Sequence, residues 1–373
     1  MKAIILILFL FGSIFANNTN GVDDRGFSLK ISTLLWKTNW QKHSIDYNDL
    51  ISGGPPRDGI PPIDNPTFET IQEAKSWLKD DEPLIFVNIN NKSKAYPLQV
   101  LIWHEIVNDE IADKKISVTF CPLCNASIVF HRTIKGKDYD FGTSGLLRHS
   151  DLVMYDRQSE SLWQQFTGTA IVGDMLGEKL QMINSSIVSF KDIYTNFAET
   201  KILSKDTGFR RDYGQNPYVG YDNINDSPFM LKTKVDSRLA PMIRVATISI
   251  DNKNKAYSYS KMKEINLLND SFENQELILF YKENVTSALD KEEIAQSKYS
   301  GTVLIYDRKL NDEILEFYYK ENSFYDKQTN SKWNIFGKAI EGKLKGEQLK
   351  PIKHGSHFWF AWVVFKPETI VFK

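Results

Sequence analysis

The chain has 373 residues, which suits two domains of ~100–200 residues better than one ordinary core. Hydrophobic residues make up 42% and charged residues 25%, a globular composition that excludes a disordered or fibrous chain. Forty-six Lys and Arg against 47 Asp and Glu leave a formal charge of −1, so there is no basic footprint for nucleic acid, and two cysteines are too few for a disulfide scaffold.

Residues 1–16 read as a secretory signal peptide. Lys2 supplies the positive flank, Ala3 to Phe15 the apolar run, and Ala16 the small residue at the cut, before polar Asn17 to Asn20. That run is shorter than the ~20 apolar residues a spanning helix needs, and no later segment approaches that length. The mature chain is therefore expected outside the cytoplasm, periplasmic or secreted, with no membrane span. No cysteine lies near the cut, which argues against a lipid anchor there.

A lead-in follows over 17–82. Its cluster Gly53–Gly54–Pro55–Pro56–Arg57–Asp58–Gly59–Ile60–Pro61–Pro62 predicts a rigid irregular loop, structural or walling a site. Thr67 to Leu78 carries Phe68, Ile71, Ala74, Trp77 and Leu78 at helical spacing. A first repeat is placed at 83–201. In it VNINNKSKAY, from Val87, predicts a β-hairpin, Pro97 to Val107 a helix, and Ile116–Phe120 and Ser127–Phe130 strands. Residues 202–241 read as a loop-rich connector. A second repeat occupies 242–373, because ISIDNKNKAY from Ile248 echoes the first hairpin 161 positions on, and Asn269–Asp270 echo Asn108–Asp109. YDRQSESLW from Tyr155 likewise returns as YDKQTNSKW from Tyr325, each followed by glycines at matched spacing. The expected fold class is α+β and β-dominant: two homologous β-rich repeats behind an irregular Pro/Gly-rich lead-in.

Residues kept in both repeats belong to the scaffold, with Trp163 and Trp333 as core; residues in one repeat are candidates for chemistry. Only the first repeat has Cys121–Pro122–Leu123–Cys124. His104 falls opposite Ile265 and His131 opposite Asp307, and the Gly142–Ser150 segment, with Ser144 and His149, has no clean counterpart. His354 and His357 precede an aromatic run and read as structural, while His43 and His149 read as exposed polar residues.

At these motifs the chain resembles a known family. GGPPRDGIPPIDNP, WHEIVND, VTFCPLCN, FGTSGLL and SDLVMYDRQSESLWQQ are similar to the family catalogued as domain of unknown function 3179, over essentially the whole mature chain. The resemblance implies an exported bacterial or archaeal protein with no settled activity. Members often carry Thr at the position of Cys124.

Three readings of the Cys pair stand. A structural disulfide would close so short a loop that it removes only roughly 2 kcal/mol of denatured-state entropy. Thiol redox exchange suits an exported protein, but the first Cys should then open a helix, and Ala126–Phe130 reads as a strand. Metal ligation by Cys121 and Cys124 with His104 and His131 suits zinc or copper. Haem attachment is excluded because Asn125, not His, follows Cys124. A nucleophilic Cys121 paired with His104 is a fourth, weaker reading. Supporting candidates are Glu105, Asn108, Asp109, Ser144, His149 and Asp156. The leading expectation is a Cys/His site that binds zinc or copper or cycles its thiols. The rival is a non-enzymatic ligand-binding or interaction module with a structural Cys pair.

Overall fold

A computed structural model describes residues 23–372, so the signal-peptide reading of residues 1–16 lies outside the described residues. Strand accounts for 41% and helix for 13%, which makes the fold β-dominant as expected. Most hairpins turn on two residues with positive φ: Asn90–Asn91, Ala112–Asp113 and His149–Ser150 early in the chain, Asp251–Asn252, Glu273–Asn274 and Glu321–Asn322 later. Such paired left-handed residues match the right-handed twist of the strands they join, and Asn and Asp tolerate them best.

Three sheets of four or five strands form within 50–203, besides the two-stranded pair Thr133–Ile134 and Lys137–Asp138. One orders Ser185–Ser189, Pro83–Ile89, Lys92–Pro97, Lys201–Leu203 and Phe68–Glu69. A second orders Met182–Ile183, Ala126–His131, Lys114–Cys121 and Ile106–Ile111. The third orders Leu50–Ser52, Phe141–Arg148, Asp151–Asp156, Leu162–Gln164 and Thr169–Val172. The orders recur later in the chain without the edge strands Phe68–Glu69 and Leu50–Ser52. His354–Phe358, Arg244–Ile250, Lys253–Ser258 and Ile370–Phe372 form one sheet, and Lys350–Pro351, Thr302–Asp307, Gln275–Lys282 and Leu267–Phe272 another. Phe317–Lys320, Ser323–Asp326, Lys332–Trp333 and Ala339–Glu341 complete the set.

The halves meet reciprocally. Ala126–His131 packs on His354–Phe358, and Thr302–Asp307 packs on Ser185–Ser189. The core crosses this boundary: Cys121, Cys124 and Trp163 share one buried cluster with Val245, Phe358 and Trp362. Residues kept in both halves have the same work. Asp109 accepts from Lys94 and Tyr96, and Asp270 from Lys255 and Tyr257. Asn108 brackets the backbone of Phe141, and Asn269 that of Phe317.

Two expected helices are shorter than their periodicity suggested. Thr70 and Glu73 form a capping box, but the helix covers only Ile71–Ala74, and Phe68–Glu69 is a strand. Trp77 is instead held in the following turn, where its indole N–H donates to Glu69 at 2.5 Å. In the other, Pro97 caps a helix over Leu98–His104.

The Pro/Gly cluster docks on a bulge in the strand Phe141–Arg148. Gly53 N–H donates to the Gly145 carbonyl at 2.8 Å, Asp58 N–H to Thr143 at 2.9 Å, and Thr143 Oγ1 to Ile60 at 2.8 Å. Ser144 shapes the bulge, its hydroxyl donating to Val153 and accepting from the Leu146 N–H at 3.0 Å. Gly145 has φ +76°, and a Cβ there would sit 2.1 Å from the Pro55 carbonyl oxygen. Gly145→Ala is therefore expected to cost at least about 3 kcal/mol, combining left-handed strain with a clash against backbone. Urea unfolding of the variant measures it; a loss below about 1 kcal/mol would mean that the lead-in is not held here.

Candidate metal centre

Cys121 ends the strand Lys114–Cys121 and pairs with Ala126 across a tight reversal. Pro122 opens a single 3-10 turn over Pro122–Cys124, and Asn125, left-handed at φ 46°, returns the chain into Ala126–His131. Both thiols are thereby turned inward, 1% and 0% exposed, and both are free. Facing them is the turn between Phe141–Arg148 and Asp151–Asp156. Its positive-φ pair, His149 and Ser150, sets the Ser150 carbonyl 3.9 Å from the Cys121 sulfur and 3.6 Å from that of Cys124. Asp151 opens the next strand, fully buried. One of its oxygens accepts from Gln164 Nε2 at 2.6 Å and the Phe166 N–H at 2.9 Å; the other is met by no N–H or O–H donor and faces the two thiols, which hydrogen-bond the carboxyl.

The two sulfurs and an Asp151 oxygen lie within 4.8 Å of one another. Burial pushes both thiols up and the Asp151 carboxyl up to about 7, against the pull of Gln164, the Phe166 N–H and the two thiols. Glu105, 8% exposed beside the same site, is pushed up to about 8 by burial and then by the Asp151 charge. Its backbone has φ 58°, where the other half places Asn266 at φ 63°. Asn tolerates that conformation and Glu does not, so Glu105 holds its place at a conformational cost. Protonated thiols buried in apolar surroundings are poor nucleophiles. Two sulfurs and a carboxylate at this separation could hold a metal ion.

The surroundings fix the turn. Arg244, at the head of the second half's first strand, donates to Asn125 Oδ1 at 3.1 Å, to Asp222 at 3.0 Å and to Ser287 at 2.7 Å. Tyr218 and Tyr221 pack against the buried cluster that contains the thiols; burial raises both phenols, with smaller contributions from Glu105 and the cysteines. Tyr221 accepts the Phe229 N–H at 3.1 Å, and Ser150 donates to the Phe229 carbonyl. The connector thus packs against the cluster that holds the site.

The structure brings Cys121 and Cys124 together, with Glu105 beside them, but the histidines stand outside the thiol–carboxylate group. His104 Nδ1 lies 2.6 Å from the Pro61 carbonyl, which only accepts, so Nδ1 carries the proton and Nε2 accepts from Tyr213 Oη at 2.6 Å. Both nitrogens are committed. His131 pairs with Ile116 at the far end of its strand, roughly 16 Å from Ala126 at ~3.3 Å per residue. His149 sits in the turn, its ring 5.8 Å from Phe365 and its Nε2 3.9 Å from Asp49. It is half-buried and His43 is buried, so neither is the exposed residue expected from sequence. Asp156 accepts from the Trp163 indole at 2.9 Å and the Ser159 N–H at 2.6 Å, and Asp326 does the same for Trp333 and Thr329.

Asp151 escaped the sequence reading because nothing near it in the chain is a ligand. The internal comparison held the signal: Arg148 pairs with Asp151 as Lys320 pairs with Ser323, so the carboxylate, like the thiols, occurs in one half only. Cys121 pairs with Ala126 as Lys282 pairs with Thr302, which makes Lys282 the counterpart of Cys121.

Burial lowers His104 to about 4 and His357 to about 3. The unfolded chain protonates these rings near pH 6.5 while the folded chain keeps them neutral. Their contribution is complete above pH 6.5 and is lost as the pH falls towards 4. Asp151 and Glu105, raised by burial, act in the opposite direction over this range, so the test is differential: His357→Phe, which keeps the packing on Trp362, should gain urea stability relative to wild type as the pH falls from 7 to 5. An unchanged slope in the variant would contradict the assignment.

Searches of curated proteins and of solved structures return no match. A family model described as "Protein of unknown function (DUF3179)" matches residues 57–369, nearly all of the described chain, with the site inside it. The chain, with its one-sided thiol–carboxylate cluster between two like-ordered sets of sheets, belongs to the DUF3179 family.

Proposed function

We propose that this is an exported protein that holds a zinc ion through Cys121, Cys124 and Asp151, built from two homologous halves of which only the first kept or gained the site. One observation carries the reading: three ligand-type side chains from two separate hairpins converge in the buried core, their ligand atoms within 4.8 Å of one another. A carboxyl and two thiols buried together cannot all ionise without a counter-charge, and a cation supplies it. Zinc accepts a mixed thiolate–carboxylate set, whereas monovalent copper favours sulfur alone. Thiol exchange is the weaker reading, because both sulfurs are buried and hold their protons. The recurrence of each sheet order supports the duplication, with 17–82 as lead-in and 202–241 as connector. Arg244 and the connector tyrosines then tie the second half to the site it lacks.

The test is metal content of the reduced, chelator-free protein. About one zinc per chain is expected, falling below about one-tenth in the Cys121→Ser, Cys124→Ser double variant. A metal-free wild-type chain that takes up no zinc would sink the reading. Export is tested separately by N-terminal sequencing of the mature protein, expected to begin at Asn17.

A further inference from the structure

A second region has the make-up of a binding site. A groove of about 930 Å³ opens where the two halves meet, away from the thiols, with Phe86, Asn184 and Phe197 on one wall and Tyr306, Phe336 and Lys338 on the other. That volume falls in the upper part of the range for small-molecule sites, about 300–1,000 Å³.

The lining has a definite chemistry. Asn334 and Gln348 are spent on the fold: Asn334 donates to Asn196 at 2.7 Å and accepts from two backbone N–H groups, while Gln348 donates to three carbonyls. Asn88, Asn90, Asn91 and Asn184 are different. They line the groove, none makes a side-chain hydrogen bond among the described residues, and Asn184 Oδ1 is buried with no donor. Phe197 is half-buried, edge-on to Phe336 at 4.8 Å and tilted on Phe86 at 4.6 Å, so its ring is braced from two sides. No Asp or Glu lines the groove, and its two lysines, Lys338 and Lys345, are exposed.

We propose that this groove binds an uncharged oligosaccharide. Each free amide offers two donors and an acceptor with two lone pairs, a match for adjacent hydroxyls that both donate and accept. The braced Phe197 ring offers an apolar face for the C–H side of a sugar. An apolar ligand would strip water from four amides without replacing it, which is costly. A strongly charged ligand would meet no buried counter-charge. A peptide added as a strand needs a run of free backbone donors, and here the walls present the Asn90–Asn91 turn and the two-residue strand Lys350–Pro351, whose proline has none.

The test is calorimetric titration of the full mature chain with cellotetraose, maltotetraose and chitotetraose, and with tetra-alanine as the peptide probe. Saturable binding of at least one tetraose and none of the peptide is expected. Asn184→Leu and Phe197→Ala should each weaken it about tenfold. Asn184 is partly buried, so Asn88→Ala, at an exposed position that cannot disturb the core, is the control for folding and should weaken binding at least about threefold. No saturable binding of any tetraose, undiminished binding in all three variants, or saturable binding of the peptide in their place would each overturn the proposal. The Cys121→Ser, Cys124→Ser variant should bind the saccharide as well as wild type, so this proposal and the metal reading fail independently.

Discussion

Replacing Cys121 or Cys124 with Ser is expected to weaken zinc binding by more than about a hundredfold, and Asp151→Asn by about ten- to a hundredfold. The order follows from the site. Each sulfur provides a thiolate that Ser cannot replace at neutral pH, whereas Asp151→Asn leaves both thiolates and removes one oxygen ligand, because the amide oxygen stays with Gln164 and Phe166 and the amide nitrogen faces the metal. Asp151→Asn also keeps a carbonyl acceptor for the Gln164 and Phe166 donors, so the fold should hold. Because zinc binds the folded chain, free zinc at 100 times its dissociation constant should stabilise wild type by about 2.7 kcal/mol and raise Tm by roughly 4 °C for a chain of this length. The two Ser variants should show no such rise. A metal-dependent rise in Tm that survives in both would place the metal elsewhere.

The second large effect concerns the scaffold. Asp156→Ala and Asp326→Ala are each expected to cost about 3–5 kcal/mol in chemical denaturation. Each carboxylate is fully buried and accepts from an indole N–H and a backbone N–H, and each loss strands the indole N–H in the core and frees the half-buried turn that the carboxylate pins. Similar losses in the two halves would show that the pair does structural work and does not belong to the one-sided chemistry. A loss under about 1 kcal/mol at either position would contradict the shared role.

Most of the fold was legible because its signals are local. Asn90–Asn91 and Asp251–Asn252 advertise hairpins through residues that tolerate positive φ, and the matched tryptophans and aspartates show their common task by recurring. The overlong helix at Thr67–Leu78 shows the limit of periodicity: a turn half-buries Trp77 and buries Leu78, and an apolar pattern alone does not distinguish a turn from a last helical coil. The site was half legible. Confinement of Cys121 and Cys124 to one half pointed to it, but their partner was sought among histidines by residue type. His104 is instead satisfied by a carbonyl and a phenol, a neutral buried ring with no free lone pair. Asp151 reaches the thiols through sheet packing between two hairpins, a relation that sequence spacing does not encode. The tyrosines packed against the thiol cluster come from the connector, which composition alone marks only as loop.

X-ray absorption at the zinc K-edge tests the central claim most directly, because it reads the ligand set itself. On zinc-loaded wild type the account predicts about two sulfurs at ~2.3 Å and oxygen at ~2.0–2.2 Å, without the multiple-scattering signature of imidazole. A shell with no sulfur, or one dominated by histidine nitrogen, would contradict it.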